Sequence, residues 1–110
     1  MFIRLGATAL VKTDIAILIP EGHVGKIEDR SGLAAKGLRT GAGVVDNGYT
    51  GEVKVVLHNL THSTSGGYQI KAGDRIAQLL IYPVSFATAM EIDNLGDSQR
   101  KDSGFGSSGT

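Results

Sequence analysis

Residues 43–57 read Gly-Val-Val-Asp-Asn-Gly-Tyr-Thr-Gly-Glu-Val-Lys-Val-Val-Leu, two β-rich runs on either side of Asn47-Gly48. Asn-Gly tolerates positive φ at both central positions of a tight turn, so the pair predicts a hairpin. Similar runs recur along the chain. Ala7–Val11 and Asp14–Ile19 read as strands, the second closed by Pro20, and Val24–Ile27 follows the turn Glu21-Gly22-His23. Beyond a polar loop from Thr61 to Gly67, Tyr68–Ile70 leads into the turn Lys71-Ala72-Gly73-Asp74. Arg75–Tyr82 is a long apolar strand closed by Pro83, and Phe86–Ile92 is expected to add one more. Only Arg30–Gly37 suggests helix, one or two turns stopped by Gly37. Eight or so short strands in 110 residues point to a single all-β domain, a sandwich or jelly roll.

Composition excludes several functions. Eleven basic and eleven acidic residues give no net charge, so electrostatics makes no case for nucleic acid or for a membrane surface. There is no cysteine, which removes disulfides and thiolate metal sites. His23, His58 and His62 lack metal-ligand spacing and read as surface residues. No targeting segment is evident, so an intracellular location, cytoplasmic or nuclear, is expected. Residues 1–96 form the expected β domain. Residues 97–110 are a Gly/Ser-rich tail holding Arg100 and Phe105, a segment suited to a lid over a ligand with both a base and phosphates.

Four local groupings carry chemistry. Arg30-Ser31-Gly32 offers a guanidinium, a hydroxyl and unencumbered amides, the makings of a phosphate cradle; the simpler alternative pairs Arg30 with Asp29 or Glu28 and uses Ser31 as a cap. Asp46, beside the Asn47-Gly48 turn, could deprotonate a water, or bond its own backbone as turn aspartates do. Tyr49 is a packing ring or a sugar contact. Gln78 is a polar residue inside Ile-Ala-Gln-Leu-Leu-Ile and needs either partners or a polar site to face. Asp14, Glu21, Glu28 and Asp29 form no recognisable carboxylate pair.

In order and spacing these segments resemble the trimeric dUTP diphosphatase (dUTPase) family. Arg-Ser-Gly-Leu-Ala-Ala-Lys-Gly (30–37), Gly-Ala-Gly-Val-Val-Asp-Asn-Gly-Tyr-Thr-Gly-Glu-Val (41–53), Gly-Asp-Arg-Ile-Ala-Gln-Leu (73–79) and Arg100 followed by Gly-Phe-Gly-Ser-Ser-Gly (104–109) are similar to its second to fifth motifs. The resemblance runs from about Leu10 to Thr110. The first motif, an Ala-Gly-x-Asp-Leu-type segment, has no counterpart: Leu10–Ile17 resembles the strand pair that follows it, and Asp14 is not its aspartate.

The resemblance implies a jelly-roll homotrimer with sites shared between subunits. It also implies Mg²⁺-dependent hydrolysis of dUTP to dUMP and pyrophosphate by attack of water on the α-phosphorus. It makes Asp46 the general base and assigns Gly43, Val45, Tyr49 and Lys54 to the nucleoside pocket. Arg30, Ser31, Gly32 and Gln78 become phosphate contacts, the first three contributed from a neighbouring subunit. In the tail, Phe105 would stack on uracil, Arg100 would pair with the terminal phosphates, and Gly106, Ser107 and Ser108 would add donors. Mg²⁺ would be held mainly by substrate phosphates and water. Because the first motif is missing, the alternative is a non-catalytic dUTPase-like nucleotide-binding or regulatory protein. The dCTP deaminases, which share the jelly roll, fit the Tyr49 context and the tail less well.

Overall fold

The computed structural model describes residues 1–62 and 64–96. Its elements in chain order are β1 (Phe2–Arg4), β2 (Thr8–Ala16), β3 (His23–Glu28), α1 (Ser31–Lys36), β4 (Leu38–Gly41), β5 (Val44–Val45), β6 (Glu52–Asn59), β7 (Gly67–Gln69) and β8 (Gln78–Pro83). All ladders are antiparallel and form three sheets: β1–β7, β2–β6–β4 and β5–β3–β8. Mostly strand with one short helix, the chain has the all-β, jelly-roll architecture expected from its sequence. No helix among the described residues is long and apolar enough to cross a membrane.

Strand β6 shows how the sequence builds the core. Val53, Val55, Leu57 and Asn59 alternate inward, while Lys54 between them is exposed. This period of two is the signature of a strand with one buried face. Ile3, Val11, Ile19, Ile27, Leu38, Val45 and Ile70 complete the core, so nearly every strand supplies it with at least one branched side chain.

The helix ends as expected. Gly37 takes the left-handed conformation at φ 101°, and its N–H reaches back to the carbonyl of Ala34. A Cβ at this position would lie 2.6 Å from the carbonyl oxygen of Leu60. Both the turn and the close approach therefore require glycine.

Four expectations are corrected. The two runs around Asn47-Gly48 do not pair with each other: β5 joins β3, and β6 joins β2 and β4. The turn itself forms, with Tyr49 N–H donating to the Asp46 carbonyl at 3.1 Å and Gly48 at φ 91°. Residues 49–51 then lengthen the connection, and the Asn47 amide is fastened to the Ile19 carbonyl at 2.8 Å, so the chain crosses between sheets. Secondly, the two strands expected within residues 7–19 are one strand, β2, ending at Ala16; the ladder is irregular between Lys12 and Ala16, where Asp14 sits at φ 59°. Thirdly, the strand expected from Arg75 begins only at Gln78. Fourthly, Phe86–Ile92 is not a strand; Phe86 and Met90 are each 80% exposed, so little packing holds the segment extended.

Candidate functional site

Two cavities collect the candidate residues. The first, about 430 Å³, is lined by Arg30, Ser31, Gly32, Leu33, Lys36, Arg75 and Gln78. Three cations and no carboxylate line it, and the Ser31 hydroxyl and Gln78 amide add neutral donors. A multiply charged anion is the natural complement of such a wall. From sequence, Arg75 in the Gly-Asp-Arg turn reads as structural, and Lys36 has no assigned role. Lys36 reaches the cavity because it lies on α1 with Ser31 and Gly32, and Arg75 because residues 75–78 lead into β8.

The neighbours of Arg30 differ from the simpler sequence reading. Asp29 turns away from Arg30: its Oδ1 accepts the Thr40 N–H at 2.6 Å and the Thr40 hydroxyl at 2.8 Å, and its Oδ2 lies 3.3 Å from the Arg39 guanidinium. Glu28 pairs with Lys26 at 3.0 Å. Ser31 does not cap α1; the N-cap is Arg30, with no side-chain cap hydrogen bond. The Thr40 amide and then its hydroxyl hold the Asp29 carboxyl below the ordinary carboxylate value, with Arg39 adding less against some desolvation. The Gln78 amide donates to the Asp29 carbonyl at 2.8 Å. A primary amide has two N–H groups and a carbonyl, so Gln78 keeps capacity for a ligand.

The second cavity, about 210 Å³, is lined by residues 41–46 together with Ile27, Tyr49, Glu52, Val53, Lys54 and Val56. Gly43, Val45, Asp46, Tyr49 and Lys54 thus meet at one slot. Val45 is only 7% exposed and packs in the core, so its backbone is what it offers a ligand. The Tyr49 ring lies over Gly51, and its hydroxyl donates to the Glu52 carbonyl at 2.7 Å. Lys54 stands opposite Lys12 in the β2–β6 ladder, a like-charge pair that an anion would relieve. Asp46 is exposed, and its carboxylate makes no hydrogen bond or ion pair among the described residues. Only its backbone takes part in the turn, which leaves the side chain able to accept a proton.

Gly43 sets the shape of this slot. Its φ is +117°, and a Cβ there would lie 3.0 Å from the Ile27 carbonyl oxygen and 3.1 Å from the Ile27 Cβ. Its carbonyl accepts the Ile27 N–H at 2.8 Å. Gly43→Ala should therefore cost about 1–3 kcal/mol in stability, measured as a shift in urea midpoint at unchanged slope. An unchanged midpoint would show that the corner relaxes freely.

The two cavities share no lining residue. A larger cleft of about 750 Å³ shares Arg30, Arg75 and Gln78 with the first and Ile27 and Val53 with the second. His58 is half-buried rather than at the surface, with its Nδ1 2.8 Å from the Thr8 hydroxyl. No group of three or more His, Cys, Asp or Glu side chains among the described residues could hold a metal ion. Arg100, Phe105, Gly106, Ser107 and Ser108 lie outside the described residues.

Comparison with known proteins gives this pair of cavities a context. The family model of dUTPase matches residues 1–109. The deoxyuridine 5'-triphosphate nucleotidohydrolase of Candida glabrata is 52% identical over 102 residues, covering 91% of this chain and 69% of that protein. The Saccharomyces cerevisiae protein of the same name is 52% identical over 91% of this chain and 67% of its own length, and the mouse protein 45% identical over 92% and 61%. The chain thus spans roughly two thirds of the length of these curated relatives. Among solved structures, a dUTPase of Staphylococcus bacteriophage 80alpha with dUpNHpp superimposes with a TM-score of 0.91 at 30% identity, over 100% of this chain and 80% of that one. A match that extends from the first strand through the cationic cavity and the backbone-lined slot to residue 109 makes the chain a member of the dUTPase family.

Proposed function

We propose that the chain hydrolyses dUTP to dUMP and pyrophosphate. The observation that carries this reading is the gathering of Arg30, Ser31, Gly32 and Gln78, with Lys36 and Arg75, in one anion-complementary cavity. A second, separate slot is lined in part by Asp46, whose carboxylate is unengaged among the described residues.

In this reading uracil enters the slot between Gly43 and Lys54. Backbone groups meet its N3–H donor and O4 acceptor, the thymine methyl clashes, and the Tyr49 ring packs against the deoxyribose. Cytosine reverses both hydrogen-bonding groups and leaves buried backbone unpaired. Asp46 takes a proton from a water as its oxygen attacks the α-phosphorus. The bond from that phosphorus to the bridging oxygen breaks, and pyrophosphate leaves. Arg30, Ser31, Gly32 and Gln78 orient the triphosphate.

In this proposal Mg²⁺ accompanies the substrate, because the phosphate cavity is lined by three cations and no carboxylate. Bound to triphosphate oxygens and water, Mg²⁺ would neutralise charge on the phosphates. Arg100, Phe105, Gly106, Ser107 and Ser108 belong to this proposal as lid residues. So does a homotrimer that brings the phosphate cavity of one subunit to the slot of another. Two features support assembly: the cavities share no lining residue, and Phe86, Met90 and Leu95 expose 80%, 80% and 92% of their surface, which would find cover in a multimer.

The test is pyrophosphate release from dUTP, dTTP, dCTP and UTP with Mg²⁺ present. Release from dUTP should exceed that from dCTP by about 10⁴-fold in kcat/KM, the range reached when a site built for one hydrogen-bond pattern meets another. Comparable release from all four nucleotides would overturn the pocket assignment.

A further inference from the structure

Among the described residues, Asp29 ties the cationic cavity to two strands at once. Its carboxylate accepts both the amide and the hydroxyl of Thr40 on β4, at 2.6 and 2.8 Å, while its own carbonyl accepts the Gln78 amide on β8 at 2.8 Å. The next three residues, Arg30, Ser31 and Gly32, line the cavity. Among the described residues, the other hydrogen bonds that join residues 28–32 to β4 are the two from the Arg39 guanidinium to the Asp29 Oδ2. The contact to Arg39 is longer, at 3.3 Å, and Arg39 is mostly exposed, so the Thr40 arm fixes the geometry.

We propose that Asp29 is the positioning residue of the phosphate cradle: its carboxylate clamps the Arg30–Gly32 turn to β4, and its carbonyl orients the Gln78 amide. Asp29 need not touch the ligand. It fixes where the Arg30 guanidinium and the Ser31 and Gly32 amides stand relative to Gln78. The proposal rests on reading this cavity as a phosphate site. Misplacement of such contacts by about 1 Å costs on the order of 10²-fold in rate.

The experiment compares the wild-type chain of residues 1–110 with D29A, D29N and R39A. Three readouts are used: dUTP turnover, deoxyuridine affinity, and ¹⁵N shifts of Ser31 and Gly32 on titration with inorganic tripolyphosphate. D29A should lower kcat/KM for dUTP about 30-fold, mostly through kcat, and weaken tripolyphosphate at least tenfold. Deoxyuridine, which fills only the base slot, should bind as in wild type. D29N keeps an oxygen acceptor for Thr40 and should stay within about threefold of wild type. R39A should do the same. If D29A does not fold, T40V removes the hydroxyl donor at constant shape and should give the same selective pattern at about three- to fivefold.

Unchanged tripolyphosphate affinity in D29A would overturn the clamp, as would equal weakening of deoxyuridine, or an Asn variant as impaired as the Ala variant. No tripolyphosphate shifts in wild type would also overturn it. If tripolyphosphate binding depends on Asp29 while wild type releases no pyrophosphate from dUTP, the clamp stands and the enzymatic reading falls.

Discussion

Asp46→Asn should lower dUTP turnover by about 10²–10⁴-fold while dUTP binding stays nearly intact. The two consequences separate because the structural contribution of Asp46 and the chemical role proposed for it belong to different atoms. Its backbone carbonyl closes the turn by accepting the Tyr49 N–H at 3.1 Å, and this bond survives the substitution. Its carboxylate has no partner among the described residues, so exchanging it for an amide of the same shape breaks no contact that holds the slot open. What disappears is the ability to take a proton from water. On the free-energy scale the loss is about 2.7–5.4 kcal/mol of transition-state stabilisation. Pyrophosphate release reads the rate, and calorimetry with a non-hydrolysable imido analogue reads the affinity. A rate within threefold of wild type would remove Asp46 from the mechanism. A parallel loss of affinity would make it a binding residue instead.

The parts of the fold legible in the sequence are those fixed by local chemistry. Gly37 marks the end of the helix because only a residue without Cβ accepts its φ and the Leu60 carbonyl beside it. Asn47-Gly48 marks a turn, and a turn is there. Which strand each run then joins depends on partners far along the chain. Turn propensity fixes only the reversal, so the expected hairpin became a crossing between sheets. Strand β4 went unseen because Leu38-Arg39-Thr40-Gly41 is short and carries a single core side chain, Leu38. Phe86–Ile92 shows the converse: strand-like composition alone makes no strand, because strand preference reflects the neighbours a side chain packs against, and Phe86 and Met90 are exposed.

The candidate site divides in the same way. Residue types within one motif were readable, and the structure gathers Arg30, Ser31, Gly32 and Gln78 into one cavity and Gly43, Val45, Asp46, Tyr49 and Lys54 into another. The role of Asp29 was not readable. Its partners Thr40 and Gln78 lie 11 and 49 positions away, and its sequence neighbour Arg30 made a local ion pair the simpler expectation. Lys36 and Arg75 were hidden because a lysine in the last turn of a helix and an arginine in a turn are ordinary surface residues until a cavity opens beside them.

Asn59→Leu should destabilise the chain by about 3 kcal/mol, the largest stability effect expected from a single polar substitution among the described residues. Asn59 is fully buried at 0% exposure, although its side chain is polar. Its amide donates to the Ile3 carbonyl at 2.7 Å, and its Oδ1 accepts the Thr61 N–H at 3.0 Å and the Thr61 hydroxyl at 2.6 Å. Leucine has nearly the same shape, so no large cavity opens. The cost comes from the Thr61 amide, left without a partner at about 1–3 kcal/mol, and from the lost bond to the Ile3 carbonyl, which faces Tyr68 in the β1–β7 ladder, at about 1 kcal/mol, while the Thr61 hydroxyl rotates towards water. Against a total stability of about 5–15 kcal/mol, this is a large share.

The effect should also reach the site. Asn59 pairs with Leu38 at the start of β4, and the Leu60 N–H donates to the Gly37 carbonyl at 2.8 Å, so loosening this end of β6 loosens the strand to which Asp29 is clamped. Near the lowered melting temperature, Asn59→Leu should therefore lose tripolyphosphate binding before the β2–β6 ladder unfolds, as amide exchange at Thr40 against Val55 would report. A urea midpoint within 1 kcal/mol of wild type would show that water replaces the lost partners and that this buried amide is dispensable.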